Sequence, residues 1–124
     1  MITGIGIDMV LIGRMERWHR QPGLLERYFH PQELAAVFEK KRDERDHSLA
    51  ARFAAKEAFG KALGGFAGMA LRDIMVVSHP NGRPELRVEG TALEALKKSG
   101  ANRIHLSLTH ERDNAAAVVV LEVV

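Results

Sequence analysis

The chain has 124 residues, 46% of them hydrophobic and 27% charged, with a formal net charge of +2. That length holds one core with little room for a second, so a single domain over residues 1–124 is expected. The absence of cysteine excludes disulfide frameworks, thiolate metal sites and cysteine nucleophiles and agrees with a cytoplasmic setting. Aromatics at 6%, with no basic run interleaved among them, argue against nucleic acid and leave the mildly basic surface for another anionic partner.

The opening stretch Met1-Ile2-Thr3-Gly4-Ile5-Gly6-Ile7-Asp8 has no basic lead-in and meets an acid before an apolar core, so neither a signal peptide nor a membrane span is expected. Residues 2–10 alternate as a strand, with Ile5, Ile7 and Met9 on one side and Gly4, Gly6 and Asp8 on the other. The glycines would clear the backbone around Asp8 and leave its carboxylate on an open sheet face; the alternative is that Asp8 merely forms a turn or caps a helix. From Ile12 to Gln21 the spacing is helical, with Ile12, Met15 and Trp18 or His19 inward. Arg14, Arg17 and Arg20 recur as a basic ridge, either a solvated face or a docking surface. Pro22-Gly23 breaks that helix, and Pro31 opens another to Lys41 with Leu34, Val37 and Phe38 facing the core. The run from Lys40 to Asp46 reads as a solvated connection.

The central helix follows, from Ala51 to Gly64-Gly65. Ala51, Ala55, Ala58, Phe59 and Ala62 share an apolar face, while Glu57 and Lys61 are i,i+4 neighbours on the other side. A plain surface pair is one reading. Gly60 beside it favours another, because a mid-helix glycine costs about 1 kcal/mol against alanine and suits a place where a ligand needs room. Beyond it, Asn81-Gly82 signals a hairpin joining Ile74–Val77 to Glu85–Val88, and Thr91 caps a helix ending near Gly100. Arg103 to Thr109 alternates with Ile104, Leu106 and Leu108 inward and His105, Ser107 and Thr109 outward; Ala115 to Val124 completes an antiparallel pair. The class is α+β, an antiparallel sheet packed on one long helix.

Asp8 and Glu57, from separate elements, are hard oxygen ligands of the kind that hold Mg²⁺, and Lys61 lies one turn from Glu57, where it can neutralise a phosphate oxygen. Gly64-Gly65 follows a helix and is no Walker loop. His105 and His110 point to opposite sides of their strand, so they do not ligate one metal together, and no serine sits in a nucleophile-elbow context.

Gly4-Ile5-Gly6-Ile7-Asp8, the block Arg52-Phe53-Ala54-Ala55-Lys56-Glu57-Ala58 continuing to Lys61-Ala62-Leu63-Gly64, Asn81-Gly82-Arg83-Pro84 and His105-Leu106-Ser107-Leu108-Thr109-His110 occur in one order over nearly the whole length. In this the chain resembles the bacterial holo-[acyl-carrier-protein] synthases, short members of the 4'-phosphopantetheinyl transferase superfamily. The resemblance implies that fold and an enzyme of fatty acid biosynthesis. Such an enzyme moves phosphopantetheine from coenzyme A to a serine of apo acyl carrier protein and releases adenosine 3',5'-bisphosphate. It implies Mg²⁺ on Asp8 and Glu57, phosphate contact by Lys61, and a coenzyme pocket near Arg52, Gly64, Arg83, Pro84, His105 and Thr109. It also implies a cytoplasmic homotrimer with sites between subunits, and docking of the acidic carrier protein on Arg14, Arg17 and Arg20. For the base that activates the carrier serine, Glu57, a metal-bound water and His110 stay open. The chain departs from the family at Leu11, where an acid is common, and at Gly65-Phe66, where Thr-Gly is common.

Overall fold

The computed structural model describes residues 1–124. Three antiparallel strands form one sheet in the order β1-β5-β4, with β1 at Ile2–Leu11, β4 at Arg103–His110 and β5 at Asn114–Glu122. A hairpin of β2 (Ile74–Ser78) and β3 (Pro84–Val88) forms a second, two-stranded sheet beside β4. Short helices α1 (Arg14–His19), α2 (Leu24–Tyr28) and α3 (Pro31–Phe38) lead into the 22-residue α4 (Arg42–Leu63), and α5 (Gly90–Ser99) joins hairpin to sheet. This is the expected α+β arrangement, with the sheet laid on the long helix.

α4 is buried on almost every side from Leu49 to Gly60. Its alanines are why: Ala50, Ala51, Ala54, Ala55, Ala58 and Ala62 let β1 and β5 approach, with Val10, Ala115, Ala117, Val119 and Leu121 supplying the apolar layer. Phe29, Val37, Phe59 and Ile74 close the core around them.

Four expectations change. The helix begins at Arg42, so most of the charged run is its first turns and no solvated connection. Lys41 enters extended, and Asp43 and Glu44 suit the positive end of the helix dipole. Helix α3 stops at Phe38, whose ring is exposed instead of core; Arg45 lies over that ring and its Nη2 and Nε donate to the carbonyls of Phe38 and Lys40. Thr91 lies inside α5, where its hydroxyl and N–H both bond Asp73. Most consequentially, the glycine side of β1 is the buried side. Ile5, Ile7 and Met9 stand 64%, 64% and 66% exposed on the outer face of the sheet.

Candidate active site

The two glycines of β1 fit it against α4. A Cβ at Gly4 would collide with the carbonyl of Ala62, and one at Gly6 with that of Ala58. Two residues along the strand therefore match four along the helix, and Asp8, next on the same face, arrives over the turn before Ala58. Helix side chains lean toward the N-terminus, so Lys61 reaches back to it: Nζ donates to Asp8 Oδ1 at 2.9 Å and to the Ile7 carbonyl at 3.3 Å. Glu57 joins the group. Burial first, then the nearby Asp8 charge, raises its carboxyl above the usual range, with Lys61 and Arg14 pulling the other way. The bond to Asp8 raises the Lys61 ammonium above its ordinary value.

Two carboxylates thus lie within electrostatic reach of each other, with Lys61 bonded to Asp8 and acting on both. No group of three or more His, Cys, Asp or Glu side chains is arranged so as to hold a metal ion by itself. The donor set suits a hard cation that takes two protein oxygens and fills its remaining positions from water and phosphate. Gly64, left-handed with φ of 93°, ends α4 one turn beyond Lys61. The space at Gly60 is already filled: a Cβ there would strike the ring of Phe66, so this notch serves packing within the chain and not a ligand.

A second feature lies elsewhere. Arg83, Pro84 and His105 line a cavity of about 550 Å³ between the hairpin and the edge strand β4. Gly82, with φ of 85°, and Asn81, whose Oδ1 accepts from the Arg83 N–H at 2.9 Å, shape the turn that presents Arg83. Through Pro84 this cavity adjoins another of about 240 Å³ lined by Arg52, Ser48 and Lys40. Lys40 and Ser48 in turn border a third, about 480 Å³, with His47 and His110. His105 bonds Glu122 at 2.9 Å and holds that carboxyl below the usual range.

His110 meets His47 edge to face, with 5.3 Å between ring centroids and 67° between ring planes. His47 precedes Glu57 by ten positions on α4, about 15 Å at 1.5 Å per residue. The chain's own His110 is therefore not brought to the carboxylates. Thr109 is exposed on the same face of β4 as His105, opposite Ala116, but lines none of these three cavities. The basic ridge divides: Arg14 acts on Glu57, Arg17 is exposed, and Arg20 is engaged with Glu16 at 3.1 Å.

The family model of the 4'-phosphopantetheinyl transferase superfamily matches residues 4–119. The chain belongs to that superfamily. A holo-[acyl-carrier-protein] synthase of Treponema denticola is 57% identical over 123 residues, covering 98% of this chain and 99% of the relative. One from Salinispora arenicola is 46% identical, covering 98% and 99%. Among solved structures, the holo-[acyl-carrier-protein] synthase of Neisseria meningitidis superposes with a TM-score of 0.88 at 33% identity, covering 98% and 99% of the chains. That of Bacillus anthracis, in complex with CoA (3',5'-ADP), gives 0.84 at 32% identity, covering 100% and 99%.

In this phosphopantetheinyl transferase, sequence reasoning missed a buried carboxylate. Glu33 on α3 is 1% exposed and accepts from Lys56 Nζ at 2.6 Å, from the His30 N–H at 3.1 Å and from the Val76 N–H at 3.1 Å. Lys56 also donates to the carbonyls of Leu71 and Ile74. Burial lowers the Lys56 ammonium and the Arg52 guanidinium from their ordinary values, and Glu33 offsets this in part. The helical spacing of α3 offers no sign that Glu33 is buried; only its capping-box position three residues after His30 was a signal.

Proposed function

We propose that the protein is a Mg²⁺-dependent holo-[acyl-carrier-protein] synthase. It transfers 4'-phosphopantetheine from coenzyme A to a serine of apo acyl carrier protein, giving the holo carrier and adenosine 3',5'-bisphosphate, in cytoplasmic fatty acid biosynthesis. The observation that carries this reading is the meeting of Asp8, Glu57 and Lys61 on the helix–strand seam of a fold shared with coenzyme-bound synthases.

Asp8 and Glu57 would hold Mg²⁺, which supplies positive charge to the diphosphate of coenzyme A when bound. Lys61 then turns from Asp8 to a phosphate oxygen. The carrier serine oxygen forms the new bond to the pantetheine-bearing phosphorus, the bond from that phosphorus to the bridging oxygen breaks, and adenosine 3',5'-bisphosphate departs with the electron pair. Glu57 takes the serine proton. Burial and the Asp8 charge raise the proton affinity of its carboxyl, and it is Asp8, not Glu57, that is bonded to Lys61.

Arg83, Pro84, His105 and Arg52 form the coenzyme groove, with Gly64 near the diphosphate end. The groove and the carboxylates do not share a cavity within one chain, which favours a site completed between subunits. The exposed row Ile5, Ile7 and Met9, continued by Val118 and Val120 on β5, gives a homotrimer an apolar face to bury. Thr109 and His110 act, on this reading, from a neighbouring subunit. The ridge of Arg14, Arg17 and Arg20 steers the acidic carrier protein. All of this fits one domain over 1–124, and no helix is long and apolar enough to cross a membrane. Mass spectrometry of apo acyl carrier protein incubated with coenzyme A, Mg²⁺ and this protein tests it: a phosphopantetheine adduct is expected, and an unmodified carrier refutes it.

A further inference from the structure

Arg52 lies in the groove wall, yet most of it is buried. Its Nε donates to Ser48 Oγ at 3.2 Å, and its Nη1 donates to the Val76 carbonyl at 2.6 Å and stands 3.5 Å from Glu33 Oε2. Nη2 has no partner. Every buried side-chain nitrogen and oxygen in the fold is hydrogen-bonded, so Nη2 is the part of the guanidinium that meets solvent. It meets it where Arg52 borders cavities of about 240 and 460 Å³ that also carry Lys40.

The carboxylate behind Arg52 comes from a different element. Glu33 on α3 ties together Lys56 and Arg52 of α4 and Val76 of β2, so it fixes the guanidinium relative to the hairpin that forms the opposite groove wall. The triad carries two cations against one carboxylate. Asp73 also acts on Lys56, so Arg52 is the cation with an open nitrogen for an anion, and a guanidinium held on its other two nitrogens loses little freedom on binding one.

We propose that Glu33 is a positioning residue that holds Arg52 so that its free Nη2 points at the 3'-phosphate of coenzyme A. This rests on the proposed function: with the diphosphate at Asp8, Glu57 and Lys61, the 3'-phosphate is the remaining anionic group of the coenzyme, and the groove carries the remaining cations. Glu33 touches no substrate and acts through Arg52.

The test compares coenzyme A with dephospho-coenzyme A, which lacks only the 3'-phosphate, as substrates of the full chain. The double variant E33Q/K56M removes the anchor without leaving Lys56 charged and unpaired in the core; a circular-dichroism melt checks its fold. The preference for coenzyme A, as the ratio of the two kcat/KM values, is expected to fall about tenfold, the order of one charge-assisted hydrogen bond. The loss should lie in KM for coenzyme A and not in kcat, and R52K should reproduce it. An unchanged ratio, or a drop in kcat shared by both coenzymes, overturns the proposal. If E33Q/K56M does not fold, E33D, which keeps the charge but shortens the reach, is read by the same criteria. A wild-type protein that uses neither coenzyme would instead sink the function reading, and this proposal with it.

Discussion

Gly6→Ala probes the seam on which the carboxylate site depends. The added methyl would meet the carbonyl and backbone of Ala58 and also the Ala62 nitrogen, 2.8 Å away. None of these is a side chain that can rotate aside, so β1 and α4 must separate. Overpacking a core usually costs about 1–3 kcal/mol, and a clash with the backbone of α4 at both Ala58 and Ala62 belongs at the upper end, about 3 kcal/mol. For a chain of this length each kcal/mol lowers the melting temperature by about 4 °C, so a loss of about 12 °C is expected in a thermal melt. Gly13→Ala is the control: nothing lies within 4 Å of a Cβ there and φ is −60°, so its melt should match or slightly exceed that of the parent. Gly60→Ala should fall between, because its obstacle is the Phe66 ring, which can move. Because Asp8 is two residues from Gly6, Gly6→Ala should also depress transfer below what its stability loss explains. A Gly6→Ala protein that melts with the parent would refute the close-packed seam.

Three further outcomes follow from the geometry. Burial and Asp8 raise the Glu57 carboxyl in the folded protein, so its ionisation opposes folding. That penalty is absent below the ordinary glutamate range, about 4.3, and complete once the pH passes the folded value. In chelator-treated protein Glu57→Gln should therefore be more stable than the parent at neutral pH and equal to it at acid pH by urea titration; parallel curves would contradict this. If the protein is the trimer proposed above, Ile7→Asp, at the centre of the exposed apolar row, should shift the sedimentation coefficient from trimer to monomer, and a variant that still sediments as a trimer would move the interface elsewhere. His110→Ala should leave the pH dependence of transfer in place if Glu57 takes the proton; loss of its acid-side limb would reassign the base.

Periodicity made the strands and the helix order legible, because β1, β4 and β5 alternate cleanly and α4 is dense in alanine. It did not tell which side of β1 is inside. Isoleucines normally mark the buried face, yet here Gly4 and Gly6 face the helix because only a strand without side chains fits against the alanine turns of α4. The site was legible in part for the same reason: Asp8 shares the glycine face, so the residues that permit close approach also deliver the carboxylate to Lys61. Gly60 misled, since its partner Phe66 is six residues away and across a loop. Glu33 and Lys56 were hidden because charged residues on helices are normally solvated, and only tertiary packing reveals that these pair in the core.

The central claim is that Asp8 and Glu57 together make the protein a transferase. Asp8→Ala and Glu57→Ala, each confirmed as folded by circular dichroism, are added with coenzyme A and Mg²⁺ to apo acyl carrier protein, and the carrier is weighed by mass spectrometry. The parent should convert the carrier to its phosphopantetheine form while both variants leave it apo. Full conversion by either variant would contradict the account.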